Sequence, residues 1–162
     1  MVEGFQPIID KNCQILILGT MPSVKSMEKQ EYYGNPRNQF WKIIFFLFRE
    51  EYMEDYGERI KFLRRKHIAL WDVLKSCDRQ GSSDSRIKNP VSNDFQWLFS
   101  QYPKIKSIYF NGKTAEKLYK RLVGTWGENI TLQSLPSTSP ANTISLSKKL
   151  QQWKEILDSL YI

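Results

Sequence analysis

The chain has 162 residues, enough for one domain with a hydrophobic core, and a single domain over residues 1–162 is expected. With 41% hydrophobic and 25% charged residues, the composition is typical of a globular protein and excludes a disordered one. The 24 Lys and Arg residues against 17 Asp and Glu residues give a net charge of +7, which favours a polyanionic partner such as nucleic acid.

Few residues suited to covalent or metal chemistry occur in the chain. Its two cysteines, Cys13 and Cys77, are too few for a disulfide framework or a four-cysteine metal site, and Cys13 is expected to be a buried free thiol. The one histidine, His67, precedes an apolar run and is interpreted as a residue at the end of a strand. The residues needed for a serine triad or a histidine metal site are therefore not available, and neither a metal nor an organic cofactor is expected.

No targeting or membrane segment is recognised in the sequence. Residues 1–7 lack the basic and then apolar pattern of a signal peptide. The longest apolar run, 43–48, is much shorter than a membrane span. The expected location is the cytoplasm, with nucleoid association in a prokaryote.

The first third of the chain contains a buried strand, a turn and an aromatic loop. Residues 14–18 form a continuous apolar run, typical of a strand buried on both faces. A turn at 19–23 follows, with Ser23 as a candidate helix cap. The loop 32–37 is polar and aromatic, and Asn38 opens a helix with apolar residues on one side.

The middle of the chain alternates helices and strands. A charged surface helix is predicted around 54–66, and a second central strand over 68–74. Residues 78–89 are rich in Ser, Gly, Asp and Arg and predict a long loop of the kind that is often functional. A helix capped by residues 92–94 runs through Tyr102, and a third strand covers 105–110.

The same alternation continues to the end of the chain. Asn111 and Gly112 end the third strand, and residues 113–122 predict a helix. A fourth strand begins at 130–132 and runs into the segment 135–142. An amphipathic helix over 144–160 completes the pattern.

Four strands that alternate with helices predict an α/β fold, a three-layer α/β/α sandwich around a four-stranded parallel sheet. Ligands bind beyond the carboxyl ends of the strands in such folds. The segments 19–23, 111–112 and 135–142 all lie at those ends, so we expect one site there.

The side chains expected at this edge are amides, hydroxyls and aromatic rings, with almost no carboxylate. Amides cannot abstract a proton strongly, but they can orient a water molecule and hold a leaving group. Aromatic rings beside amides suit a planar heterocycle. Asp84 is the one nearby acid, and it is interpreted as a loop cap or a salt-bridge partner.

Three strings of the sequence resemble the uracil-DNA glycosylase superfamily, and within it the hypoxanthine-DNA glycosylase branch (family 6, deoxyinosine glycosylase). The likeness covers nearly the whole chain, and the second string is the most specific. The strings are Gly19-Thr20-Met21-Pro22-Ser23, Tyr32-Tyr33-Gly34-Asn35-Pro36-Arg37-Asn38-Gln39-Phe40-Trp41 and Leu135-Pro136-Ser137-Thr138-Ser139-Pro140-Ala141-Asn142.

The resemblance implies that Asn38 is the catalytic residue. Met21 stands where the mismatch-specific branch has its catalytic Asn, so that role is not transferred. Asn35 replaces an expected His, which leaves the base preference open. The implied base pocket comprises Gly19, Thr20, Met21, Tyr32, Tyr33, Phe40 and Asn111, and the implied DNA-binding residues are Ser23, Arg37, Ser137, Thr138, Ser139 and Asn142.

Each assignment has a structural alternative. Asn38 could serve only as a helix cap, although capping and holding a water molecule are compatible. The hydroxyls of 137–139 could belong to an ordinary turn, and Arg37 could be a solvated surface charge. Trp41 is interpreted as a core residue, whereas Phe40 is predicted to touch the base.

The predicted function is hydrolysis of the N-glycosidic bond of a deaminated base, with hypoxanthine favoured, in base-excision repair. The predicted partner is double-stranded DNA with a damaged or mismatched base. The protein is expected to be a monomer, and no membrane partner is expected. One alternative is a glycosylase for uracil or thymine in mismatches. A second is a DNA-binding protein that recognises damage without cutting.

Overall fold

A four-stranded parallel sheet forms the centre of the computed structural model, which describes residues 1–124 and 129–160. In chain order the strands and helices are β1 (Val2–Glu3), β2 (Ile15–Gly19), α1 (Val24–Lys29), α2 (Phe40–Leu47), α3 (Tyr56–Arg65), β3 (Ile68–Asp72), β4 (Leu74–Asp78), β5 (Lys88–Ser92), α4 (Phe95–Gln101), β6 (Ser107–Asn111), α5 (Lys113–Leu122), β7 (Thr131–Leu135) and α6 (Leu146–Trp153). Short 3-10 helices cover Asp84–Arg86 and Lys154–Ser159.

The strand order of the parallel sheet is β3-β2-β6-β7. Its register places Gly19 opposite Asp72 and Asn111 opposite Leu135. Because all four strands run in the same direction, their carboxyl ends meet at one edge of the sheet. The residues that end the strands are therefore neighbours in space.

Side chains alternate between the two faces of the sheet and fill a core on each. Ile15 and Ile17 pack with α2, α3 and α6 on one face, whereas Leu16 and Leu18 pack with α4 and α5 on the other. All four side chains are fully buried. The three-layer sandwich predicted from the sequence is thus confirmed, and Cys13 is buried as expected.

The predicted strand over 68–74 is wrong at its end, because the chain changes sheets there. β3 stops at Asp72, and the Val73 amide donates to the Gly19 carbonyl oxygen at 2.8 Å. The chain then enters a second sheet, with strand order β1-β4-β5 and antiparallel pairing. This second sheet was not predicted, and its strand β5 occupies the end of the predicted loop 78–89.

The predicted C-terminal helix over 144–160 is also corrected. It begins at Leu146, after a cap in which the Ser145 Oγ accepts from the Lys148 amide, and it becomes a 3-10 helix from Lys154. Trp153, Ile156 and Leu160 still face the core, which preserves the amphipathic pattern. Within residues 1–124 and 129–160, no helix has the length and apolar character needed to cross a bilayer.

Candidate active site

A cavity of about 610 Å³ opens at the carboxyl edge of the parallel sheet, where the sequence predicts a site. Its volume lies within the range of small-molecule pockets, roughly 300–1,000 Å³. The predicted segments 19–23 and 137–142 form two of its walls, together with the loop 82–85. The other lining residues are Ser26, Tyr32, Tyr33, Asn35, Asn38, Asp72 and Asn111.

Asn38 stands at the wall of the cavity, two residues before the first residue of α2. It is half-buried, and its Oδ1 accepts a hydrogen bond from the Phe40 amide at 2.9 Å. Gln39, the residue next to the first helical position, makes no such side-chain bond, so Asn38 caps the start of this helix. One lone pair of Oδ1 and the Nδ2 group remain for a molecule in the cavity.

Tyr33 lines the cavity with a hydroxyl that has no hydrogen-bond partner among the described residues, although that oxygen is buried. Its backbone has a φ of 54°, which is uncommon for a tyrosine. The Tyr33 ring stacks on Phe40 with ring centroids 4.2 Å apart. Phe40 is fully buried behind that ring and does not line the cavity, so its predicted contact with a base is wrong.

Tyr32 belongs mainly to the core, although it contributes to the cavity wall. Only 4% of it is exposed, and its hydroxyl donates to the Gln6 carbonyl oxygen at 2.8 Å. Its backbone amide donates to the Tyr56 hydroxyl at 2.8 Å. Of the two tyrosines in the implied base pocket, Tyr33 is therefore the one whose hydroxyl can meet a ligand.

Asn111 and Thr138 form a reciprocal pair of hydrogen bonds. The Asn111 Nδ2 donates to the Thr138 Oγ1, and the Thr138 amide donates to the Asn111 Oδ1, each at 2.9 Å. Thr138 is fully buried at the cavity wall, where its side chain anchors the segment after β7; its predicted contact with DNA stays a prediction. Asn111 stays at the cavity wall as predicted.

The segment 137–142, called here loop 137–142, is held by short-range bonds. The Ser137 Oγ accepts from the Ser139 amide at 3.2 Å, and the Asn142 Nδ2 donates to the Ser137 carbonyl oxygen at 3.0 Å. Lys149 is buried in α6, and its ammonium group donates to the Asn142 carbonyl oxygen and to Gln39 Oε1. Loop 137–142 is thereby tied to the start of α2.

The remaining predicted site residues take different positions. Thr20 and Met21 are buried in the cavity wall, as expected for the turn after β2. Ser23 lies at the wall, but its Oγ caps α1 by accepting from the Ser26 amide at 3.2 Å. Arg37 is exposed beside the cavity without lining it.

Two carboxylates at the cavity correct the expectation of a nearly acid-free site. Asp72 ends β3, is 5% exposed and lines the cavity. Burial raises the pKa of its carboxyl to about 7; the Asp84 carboxylate adds to this rise, and the Arg79 guanidinium opposes it. The sequence signal for Asp72 was its position at the end of an apolar strand.

Asp84 lies in the 3-10 helix of the loop 82–85 and faces the cavity from the rim. The residue is exposed overall, but partial burial raises the pKa of its carboxyl, while the Thr20 hydroxyl and the Arg79 guanidinium lower it. No ion pair of Asp84 occurs among residues that the structure describes, so the predicted salt bridge is absent there. In the same part of the chain, no group of three or more His, Cys, Asp or Glu residues is placed to hold a metal ion.

We expect Asp72 to make the stability of the protein depend on pH. Its pKa is about 7 in the folded state and about 3.9 in an unfolded chain. Folding therefore takes up a proton between these values, and the free energy of unfolding falls as the pH rises through them. Asp72→Asn should stabilise the protein, relative to the native chain, by up to about 4 kcal/mol more at high than at low pH.

Urea denaturation of both proteins at about pH 4 and about pH 8.5 measures this difference. An equal effect of Asp72→Asn on the free energy of unfolding at the two pH values would contradict it. Asp78→Asn is the matched control, because Asp78 is a solvent-accessible acid whose pKa is lowered by the Asn89 amide. That substitution should not stabilise the protein at high pH.

Comparison with known proteins finds the same similarity by sequence and by structure. A family model described as the uracil DNA glycosylase superfamily matches residues 6–161. A hypoxanthine DNA glycosylase of Methanosarcina acetivorans is 38% identical over 155 residues, which are 95% of this chain and 96% of the relative. A hypoxanthine DNA glycosylase of Methanosarcina barkeri is 37% identical over 154 residues, 94% of this chain and 96% of the relative.

Among solved structures, the chain is similar to the solution NMR structure of a proposed uracil DNA glycosylase from Methanosarcina acetivorans. The TM-score is 0.83 at 38% sequence identity, with 95% of this chain and 94% of that chain covered. All residues that line the cavity fall within the region matched by the family model.

Proposed function

The chain belongs to the uracil DNA glycosylase superfamily, and from this membership we propose its function and the roles of its residues. It is a DNA glycosylase that hydrolyses the N-glycosidic bond of hypoxanthine in DNA. The observation that carries the proposal is a cavity of about 610 Å³ with the amide of Asn38 in its wall. A damaged nucleotide that swings out of the DNA stack requires such a cavity.

In this proposal Tyr33 contacts the extruded base, and Asn38 holds the attacking water. The edge of the base carries hydrogen-bonding groups that the Tyr33 hydroxyl can meet, and Phe40 supports the Tyr33 ring from behind. The sugar acquires oxocarbenium character as its bond to the base lengthens. The amide of Asn38 cannot abstract a proton strongly, so its contribution is to fix the position of the water.

Duplex DNA is the proposed substrate form, and a monomer the proposed active form. Three exposed basic residues, Lys25, Arg37 and Arg86, stand in the sequence within two residues of the cavity wall. None forms an ion pair with another described residue, which leaves all three for phosphates. Ser137, Ser139 and Asn142 supply backbone and hydroxyl groups at the mouth.

No lysine lines the part of the cavity that the structure describes. The proposed reaction is therefore a direct hydrolysis without a Schiff base, and it should leave an abasic site in an uncut strand. Lys149 is buried nearby, but its ammonium group is engaged by Gln39 and Asn142.

A substrate panel tests the proposal. Labelled duplexes that contain hypoxanthine, uracil, xanthine or thymine in a mismatch would be incubated with the protein and then cleaved with alkali. We expect alkali-dependent cleavage of the hypoxanthine duplex and little of the others. Faster release of uracil or thymine would favour the mismatch-specific alternative, and binding without release of any base would refute the enzymatic function.

A further inference from the structure

An Asp72 carboxyl oxygen and the Tyr33 hydroxyl oxygen lie close together beside the end of β2. A Cβ atom placed on Gly19 would lie 2.6 Å from the Asp72 Oδ1 and 3.1 Å from the Tyr33 hydroxyl oxygen. Both groups therefore stand against the same α-carbon. Both residues line the cavity. Among described residues, the bond that Asn93 donates to Asp72 goes to the backbone oxygen and not to the carboxyl. The Tyr33 hydroxyl has no partner at hydrogen-bond distance, although the nearby Asn111 side chain lowers its pKa.

The charged groups around Asp72 come from two neighbouring segments. Asp84 approaches from the loop 82–85 and disfavours a second negative charge. Arg79, just after β4, favours that charge but forms no ion pair with Asp72 among described residues; its Nη2 donates instead to the Pro22 carbonyl oxygen. Tyr32 and Tyr33 are the other titratable groups facing Asp72, and burial raises the pKa of both hydroxyls, so they stay neutral.

These surroundings leave Asp72 about half protonated at pH 7 and mostly protonated below it, since the pKa of the buried carboxyl is about 7. A carboxyl group kept neutral by an apolar site can donate a hydrogen bond or a proton. General acids work best when their pKa lies close to the operating pH. Asp72 meets that condition and faces the cavity in which the base would lie.

We propose that Asp72 is the general acid of the reaction and transfers its proton to the departing base. This inference rests on the proposed function. As the bond between the sugar C1′ and the base nitrogen breaks, its electron pair stays on the base, which takes the proton from the Asp72 oxygen. Water adds to C1′, and its released proton passes to solvent and restores the acid, so that the products are a neutral base and an abasic sugar.

The Tyr33 hydroxyl supplies a second donor beside the first. Hypoxanthine presents a carbonyl oxygen and a ring nitrogen that can accept from two adjacent O–H groups. Adenine has an exocyclic amino group in place of that carbonyl, and an amino group cannot accept from either donor. The pair formed by Asp72 and Tyr33 therefore favours the deaminated purine.

The test is the pH dependence of base release under single-turnover conditions. For the native protein, we expect the rate on a hypoxanthine duplex to fall about tenfold per pH unit above about pH 7. Asp72→Asn keeps the shape of the side chain but has no proton to transfer. It should be slower by about 10²-fold at pH 6, and its rate should not fall with pH in this range.

Two further variants separate an acid from a merely structural residue, because they change the charge around Asp72 and leave Asp72 in place. Asp84→Asn removes a repelling carboxylate, so the fall in rate should move to lower pH. Arg79→Gln removes an attracting cation, so the fall should move to higher pH. Circular dichroism on each variant would verify that the fold is intact.

The outcomes distinguish this inference from the proposed function. If the native protein releases no hypoxanthine at any pH, the proposed function fails. If it releases hypoxanthine but Asp72→Asn shows the same fall in rate with pH, or if the Asp84 and Arg79 variants leave its position unchanged, only the acid role is overturned.

Discussion

Asn38→Ala is expected to lower the single-turnover rate of hypoxanthine release by about 10²- to 10³-fold, because the side-chain amide that orients the attacking water is removed. Binding of the duplex should be nearly unchanged, since contacts to phosphates are made by other residues. A gel-shift assay and single-turnover kinetics on the same duplex measure the two effects. An unchanged rate in Asn38→Ala would reject the assignment.

The cap formed by Asn38 complicates that variant, because losing a helix cap costs about 1 kcal/mol of stability by itself. Asn38→Ser retains an oxygen that can accept from the Phe40 amide, and it should lose activity without losing the helix start. Asn35→Ala is a matched control. Asn35 also lines the cavity and also accepts a bond from the amide two residues on, that of Arg37.

We expect Asn35→Ala to keep activity within about tenfold of the native protein, because the proposed role belongs to one amide and not to amides at the cavity in general. Equal losses in Asn35→Ala and Asn38→Ala would contradict a specific role for Asn38.

Gly19→Ala, which adds a single methyl group, should strongly reduce the rate of base release. The added Cβ would meet the Asp72 Oδ1 at 2.6 Å and the Tyr33 hydroxyl at 3.1 Å, so both groups must move into the space needed by the base. A misplacement of about 1 Å in an active site can cost about 10²-fold in rate. We therefore expect a loss of about 10²-fold in base release.

The stability cost of Gly19→Ala should be moderate, about 1–3 kcal/mol for overpacking. Gly57→Ala is the control for the chemical change, because Gly57 lies in α3 and does not line the cavity. The added Cβ would lie 3.1 Å from the Asp55 Oδ2 that caps α3, which offsets the helix preference of alanine, so that variant should be fully active with a stability close to native. Near-native activity in Gly19→Ala would contradict this prediction, because it would show that Asp72 and Tyr33 can accommodate a Cβ atom at residue 19 without loss of function.

The parallel sheet could be predicted from the sequence because three of its strands, β2, β3 and β6, are buried on both faces. The apolar runs at 14–18 and 105–110 lie between polar segments and are typical of buried strands. The strands β4 and β5 gave no such signal. Residues such as Lys75 and Lys88 are exposed, and β5 is defined by its pairing with β4 rather than by its own pattern of hydrophobicity.

The site was predicted in its location and only partly in its residues. Strand order placed the cavity, and Asn38 and Asn111 lie in its wall as predicted. Tyr33 lines the cavity and Phe40 does not; the backbone of Tyr33 has a positive φ, which no local pattern reveals. The importance of Asp72 depends on how closely its carboxyl approaches Gly19 and on the loop 82–85, both of which are products of the tertiary fold.

The hydrogen bonds that hold loop 137–142 determine how the free-energy cost of DNA binding is divided between the protein and the DNA. With Thr138 locked to Asn111, and Lys149 joining Asn142 to Gln39, this segment already has a fixed shape before any duplex arrives. Preorganised surfaces lose little conformational entropy on association. The main penalty then lies with the DNA, whose nucleotide must unstack, and bases that pair weakly leave the helix at lower cost, which adds discrimination before chemistry begins.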